Sequence, residues 1–142
     1  MKLAVQKMPG RRPFPPQESA FTARFWQALG EGELLATRCR ECARLTFPPK
    51  PLCPHCWCRE VEWAPLSGRG VIYSHTTVHA APALFAQEAP YRLCIVDLDE
   101  GLRLAARLVD AGSGVGIGAR VEFVVLRYED GPLFAARPLD AR

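Results

Sequence analysis

No uninterrupted apolar run in the 142 residues is long enough to cross a bilayer, which takes about 20 residues in helical form. The first twelve residues lack the apolar centre of a secretory leader and end in Arg11-Arg12. Together these absences lead us to expect a cytoplasmic protein, in a compartment where thiols stay reduced. Also missing are a nucleophile elbow, a catalytic acid pair and a phosphate-cradling glycine loop, so no familiar stand-alone enzyme signature is present. There is no internal repeat and no low-complexity tract. Charge is scarce as well. The formal +3 counts every cysteine as neutral and falls by two, to about +1, once four thiolates surround a divalent ion. A chain so nearly neutral has little attraction for a polyanion such as duplex DNA.

What is present is a folded chain, 49% apolar against 23% charged, with room for one domain or for a small metal-held module plus a compact barrel. Its organising stretch is Cys39-Arg40-Glu41-Cys42, ten residues, then Cys53-Pro54-His55-Cys56. A two-residue gap lets one tight turn aim two sulfurs at one point. Two such turns complete the four-thiolate tetrahedron that zinc favours, so Cys39, Cys42, Cys53 and Cys56 are the predicted ligands. With all four positions filled by sulfur, the zinc holds the fold and does no catalysis. A redox C-x-x-C belongs in a βαβ setting that this sequence does not offer. Cys58 and Cys94 are left over and read as inert small residues.

Around this stretch the chain divides into an arm, a helix, a ribbon and a barrel. Residues 1–17 hold Pro9, Gly10, Pro13, Pro15 and Pro16 and are expected to form an extended or disordered arm. Residues 18–32 form the N-terminal helix, capped at Ser19 and stopped by Gly30 and Gly32, with Phe21, Phe25, Trp26 and Leu29 on one face. That stripe packs either on the protein's own barrel or on another chain. Residues 33–60 make the ribbon. Residues 61–138 show period-two strands punctuated by glycine turns, about five of them, as in a small closed barrel of the OB type. Val121, Phe123 and Val125 should line its interior, with Leu102, Leu104, Ala106 and Leu108. Simple alternation puts Tyr73, His75, Thr77 and His79 on one wet face. No carboxylate is placed to orient either histidine, so this face suits a ligand or partner contact better than catalysis.

Several dispersed pieces then combine. Phe25-Trp26, Gly32-Glu33-Leu34-Leu35, the cysteine pairs with Pro48-Pro49 between them, and Glu62-Trp63 come first. Ser67-Gly68-x-Gly70, Val71-x-Tyr73-Ser74, Pro90-Tyr91 and Asp97-Leu98-x-Glu100-Gly101 follow. In order and spacing, over residues 18–128, the chain resembles the small zinc-ribbon/OB-fold, acyl-CoA-associated proteins that accompany thiolases. One position departs from that pattern, with Ala43 standing where glycine is usual and a positive φ is needed. The resemblance implies a mainly β protein with a rubredoxin-like ribbon. It also implies a non-catalytic accessory subunit that pairs with a thiolase-like or lipid-transfer-type enzyme and helps to hold acyl-CoA. On that reading Arg38, Arg40, Arg44 and Lys50 are expected to meet CoA phosphates. Tyr73, His79 and Phe85 would give a half-apolar wall, and Phe21, Phe25, Trp26 and Leu29 would meet the partner. The alternative is a zinc-ribbon/OB-fold nucleic-acid module, which would need a basic groove interleaved with aromatics.

Overall fold

The computed structural model describes residues 2–139. In chain order the elements are β1 (Ala4–Lys7), α1 (Ala23–Gly30), β2 (Leu34–Cys39), β3 (Leu45–Thr46), β4 (Val61–Leu66), β5 (Arg69–Val78), β6 (Tyr91–Leu98), β7 (Arg103–Leu108), β8 (Arg120–Tyr128) and β9 (Gly131–Pro138). A 3₁₀ segment, Ala83–Glu88, lies between β5 and β6. Strands β5 to β9 close on themselves. β5 pairs with β6, β6 with β7, β7 with β9 in parallel, β9 with β8, and β8 returns to β5. Closure leaves no long barrel edge open to mispairing. The alternation read from the sequence sets the interior: Val121, Phe123, Val125, Leu104, Ala106 and Leu108 are buried, and Leu102 packs against them. At Gly70 the strands come so close that a β-carbon would run into the backbone carbonyl of Asp97.

Four expectations change. The strand Val61–Leu66 belongs to the ribbon, not the barrel: it pairs with β2 in a three-stranded sheet ordered β3-β2-β4. The chain changes sheets at Ser67-Gly68, where the positive φ of Gly68 makes the corner. The N-terminal arm takes the extended one of its two expected forms, and as a paired strand instead of a free chain. Its residues 4–7 add β1 in parallel to the second half of β8, from Ala4 opposite Val124 to Lys7 opposite Arg127. Beyond β1 the side chain of Arg12 is almost buried against the β8–β9 turn. Asp130 takes its backbone N–H at 2.8 Å and its Nε at 3.4 Å, and the carbonyl oxygen of Asp130 takes Nη2 at 2.9 Å.

The third change concerns the helix. Regular α-helix covers Ala23–Gly30, and Ser19 sits one turn earlier, exchanging N–H to hydroxyl bonds of 2.8 and 3.1 Å with Thr22. The stripe faces inward. Leu29 is fully buried and Phe25 nearly so, with its ring edge-on to Phe47 and Phe134. Phe21 stacks on Trp63. Phe25 and Leu29 therefore have no surface to offer a partner, whereas Phe21 and Trp26 are half-buried, Trp26 with a core contact as well. Fourth, a bulge at Tyr73 shifts the register of β5 between Ile72 and Ser74. Cross-strand neighbours share a face, so His75, opposite buried Cys94, joins the face of Ile72, while Tyr73 stays on the outer face. No helix is long and apolar enough to cross a membrane among the described residues.

Candidate metal centre and anion groove

β2 delivers Cys39 at its end, and the chain there makes a turn that the second cysteine pair repeats. In the first, Cys39 N–H donates to Arg44 O (3.0 Å) and Ala43 N–H to Cys39 O (3.0 Å). In the second, Cys53 N–H donates to Cys58 O (2.9 Å) and Trp57 N–H to Cys53 O (2.9 Å). Ala43 and Trp57 close the two turns at φ values of 65° and 67°. The four Sγ atoms lie within 4.8 Å of one another. Cys39 Sγ is 3.5 Å from Cys56 Sγ, and Cys42 Sγ is 3.6 Å from Cys53 Sγ. A disulfide would need about 2.0 Å. A tetrahedron with zinc–sulfur bonds of about 2.3 Å has edges of about 3.8 Å. The donor set fits zinc.

The first cysteine of each pair is buried and the second reaches the surface. Electrostatics support a cation at the centre. Backbone N–H groups of Cys42 and Glu41 point at Cys39 and hold its thiol down at about 6. Cys56, although it accepts the N–H of Cys58, is pushed up to about 12 by the sulfurs of Cys39 and Cys53. Without metal the sulfurs compete for protons; a divalent ion lets all four be thiolates. Cys94 points into the barrel, where burial raises its thiol.

Beside the metal-binding turns a groove of about 700 Å³ separates ribbon from barrel. Arg38, Arg44, Lys50 and His55 come from the ribbon; Glu100, Leu102 and Arg103 come from the β6–β7 turn. The acids on the barrel side are already engaged. Glu100 accepts Ser67 N–H at 2.6 Å, and Asp97 grips Arg103 through bonds of 2.6 and 3.1 Å. The hydrogen bond to Arg103 holds the Asp97 carboxyl below its ordinary range. Arg103 also lies 3.5 Å over the ring of Tyr73. Among the described residues, none of Arg38, Arg44 or Lys50 has a carboxylate within 4.0 Å. The groove thus presents three cations with no ion-pair partner among the described residues, together with Glu100 and the apolar side chains of Leu45, Phe47 and Leu102.

Of the anion ligands expected from the sequence, Arg38, Arg44 and Lys50 are brought together. Arg40 does not line this groove, and Tyr73 reaches it only through Arg103. His79 and Phe85 sit at the far end of β5, where the Phe85 ring packs 6.2 Å from Tyr91. His55 and Arg103 were missed. His55 was hidden as the spacer of a cysteine pair, and Arg103 joins only through barrel closure. His75 is held by Arg92 at 3.2 Å and, among the described residues, by no carboxylate.

Two family models match this chain: the rubredoxin-like zinc ribbon domain of ChsH2 over residues 26–62 and the C-terminal OB-fold domain of ChsH2 over residues 63–127. A DUF35 domain-containing scaffold protein of Methanocaldococcus jannaschii is 39% identical over 112 residues, 76% of this chain and 79% of the relative. The benzoylsuccinyl-CoA thiolase subunit BbsA of Thauera aromatica is 32% identical over 129 residues, 88% of each chain. Among solved structures, a chain of the Ltp2-ChsH2(DUF35) aldolase superposes with a TM-score of 0.76 at 32% identity, covering 87% of this chain and 98% of that one.

Proposed function

The chain belongs to the DUF35 family of ChsH2-like zinc-ribbon and OB-fold proteins, and we propose that it is the non-catalytic accessory subunit of a thiolase-like or lipid-transfer-type enzyme, where it helps to hold acyl-CoA. The observation that carries this reading is the match over nearly the full length of a chain from a two-component aldolase. The similarity to a thiolase subunit supports it from a second side. The zinc, closed in by four sulfurs, has no open position for substrate and braces the ribbon. Arg38, Arg44 and Lys50 supply what a CoA ester asks of a protein surface: several cations for its phosphates, beside apolar wall for its uncharged arm.

The outer face of β6–β7 favours a protein partner over nucleic acid. OB-folds that take oligonucleotides use this face and coat it with free cations and stacking rings. Here it carries exposed Leu93, Ile95 and Ala105, and its two arginines are neutralised, Arg103 by Asp97 and Arg107 by Glu88, each also covering a tyrosine ring, Tyr73 and Tyr91. Trp26, one of the half-buried residues of the helical stripe, is a second proposed partner contact.

Co-expression with a thiolase-like enzyme of the same source tests the reading, by size-exclusion chromatography and acyl-CoA turnover. We expect one co-eluting complex, no turnover by this chain alone, and higher turnover by the enzyme when this chain is bound. Turnover by the isolated chain, or an enzyme fully active without it and never bound to it, would contradict the proposal.

A further inference from the structure

The second metal-binding turn carries a feature the metal does not need. Trp57 occupies left-handed backbone, where glycine is unstrained and any side chain is not, and it leaves 73% of its surface exposed. The indole forms one wall of an apolar trough of about 440 Å³. Phe21, Leu52, Pro49, Pro51 and Pro54 form the others. Phe21 is fixed from behind by the ring of Trp63, with centroids 4.9 Å apart and planes 25° from parallel. Prolines cannot rearrange much, so the trough is largely formed before anything enters it. Lys50 and Pro54 line this trough and the basic groove alike. A slot walled by aromatic rings therefore opens directly beside those three cations.

We propose that this slot takes the adenine of the 3′-phosphoadenosine end of acyl-CoA, stacked on Trp57, with Lys50 at the junction holding a phosphate. The pantetheine arm then runs through the basic groove past Arg44 towards Leu102 and Arg103 on the barrel. The proposal rests on the acyl-CoA reading above and fixes the direction of the ligand within it. Every base offers a flat π-face to an aromatic ring, and charge-assisted contacts position the phosphates next to it.

The test uses the full, zinc-loaded chain, alone and in complex with its thiolase-like enzyme. The probes are CoA, 3′-phosphoadenosine 5′-phosphate and 4′-phosphopantetheine, followed by tryptophan emission and calorimetry. The nucleotide and CoA should quench emission, and phosphopantetheine should not. Trp57→Gly relieves the backbone while removing the ring, so it should keep its zinc and fold, lose the quench and bind the nucleotide about tenfold more weakly. Trp57→Phe should restore most of the affinity. Unchanged nucleotide affinity in Trp57→Gly, with weaker binding in Arg44→Ala, would overturn the orientation and leave the acyl-CoA reading standing. Loss of the enzyme complex in Trp57→Gly with nucleotide affinity intact would make the slot a protein contact and also overturn it. Failure of CoA and the nucleotide to bind the wild type, free or in complex, would remove both proposals.

Discussion

At the scale of single residues, the two metal-binding turns end alike, at Ala43 and Trp57, with φ near +65°. Left-handed backbone costs an ordinary residue about 1–2 kcal/mol, and glycine escapes that cost but gives up more chain entropy on folding. Ala43 is exposed and lends no side chain to the core. Ala43→Gly should therefore stabilise the protein by about 0.5–1 kcal/mol, seen as a higher thermal midpoint at constant zinc content. A midpoint equal to or below wild type would mean that the first turn is relaxed in some other way. The ligand cysteines were fully legible in the sequence, because C-x-x-C spacing is a local property and the metal dictates it. The αL conformation of Trp57 was not, since only the pseudo-symmetry of the two turns reveals it.

Among the elements, the arm and the helix were the least legible. β1 is four residues long, lies just ahead of a proline-rich stretch, and pairs with a strand some 120 positions away; no local pattern announces such a strand. Its anchor is the contact of Arg12 with Asp130. The backbone N–H of Arg12, with its guanidinium, holds the Asp130 carboxyl below the ordinary carboxylate value. A depressed folded pKa gives stability that is present above the unfolded pKa and lost as pH falls through the folded one. Arg12→Ala should thus lower the thermal midpoint at neutral pH, and the gap to wild type should shrink as pH drops from about 5 towards 3. A gap independent of pH would show that Arg12 acts through packing alone. The helix stripe was legible as a stripe, but what it packs on was not, because periodicity shows a face and not its neighbour. Phe25→Ala should cost about 3–5 kcal/mol in chemical denaturation, as for a buried core ring. Trp26→Gln should cost much less and instead weaken association with the thiolase-like enzyme in size-exclusion chromatography. An intact complex in Trp26→Gln would assign the whole stripe to the protein's own core.

For the whole molecule, ribbon and barrel share one seam, and the chemistry gathers there. The barrel class was legible from turn spacing and alternation. Its boundary was not, because β4 and β5 read as one bent strand while Gly68 sends them into different sheets. The groove leaves no local trace either, because its barrel wall, Glu100 to Arg103, is far along the chain from Arg38 and Arg44. The central claim is that this seam helps to hold the CoA end of a substrate for a partner that does the chemistry. Steady-state kinetics of the complex with Arg38→Ala and Arg44→Ala combined test it most directly. Losing charge-assisted contacts of about 1.5–3 kcal/mol each should raise KM for acyl-CoA roughly a hundredfold or more with kcat little changed, since these contacts hold ground and transition states alike. Identical KM and kcat for the variant and wild-type complexes would contradict the account and make the cluster a solvated face.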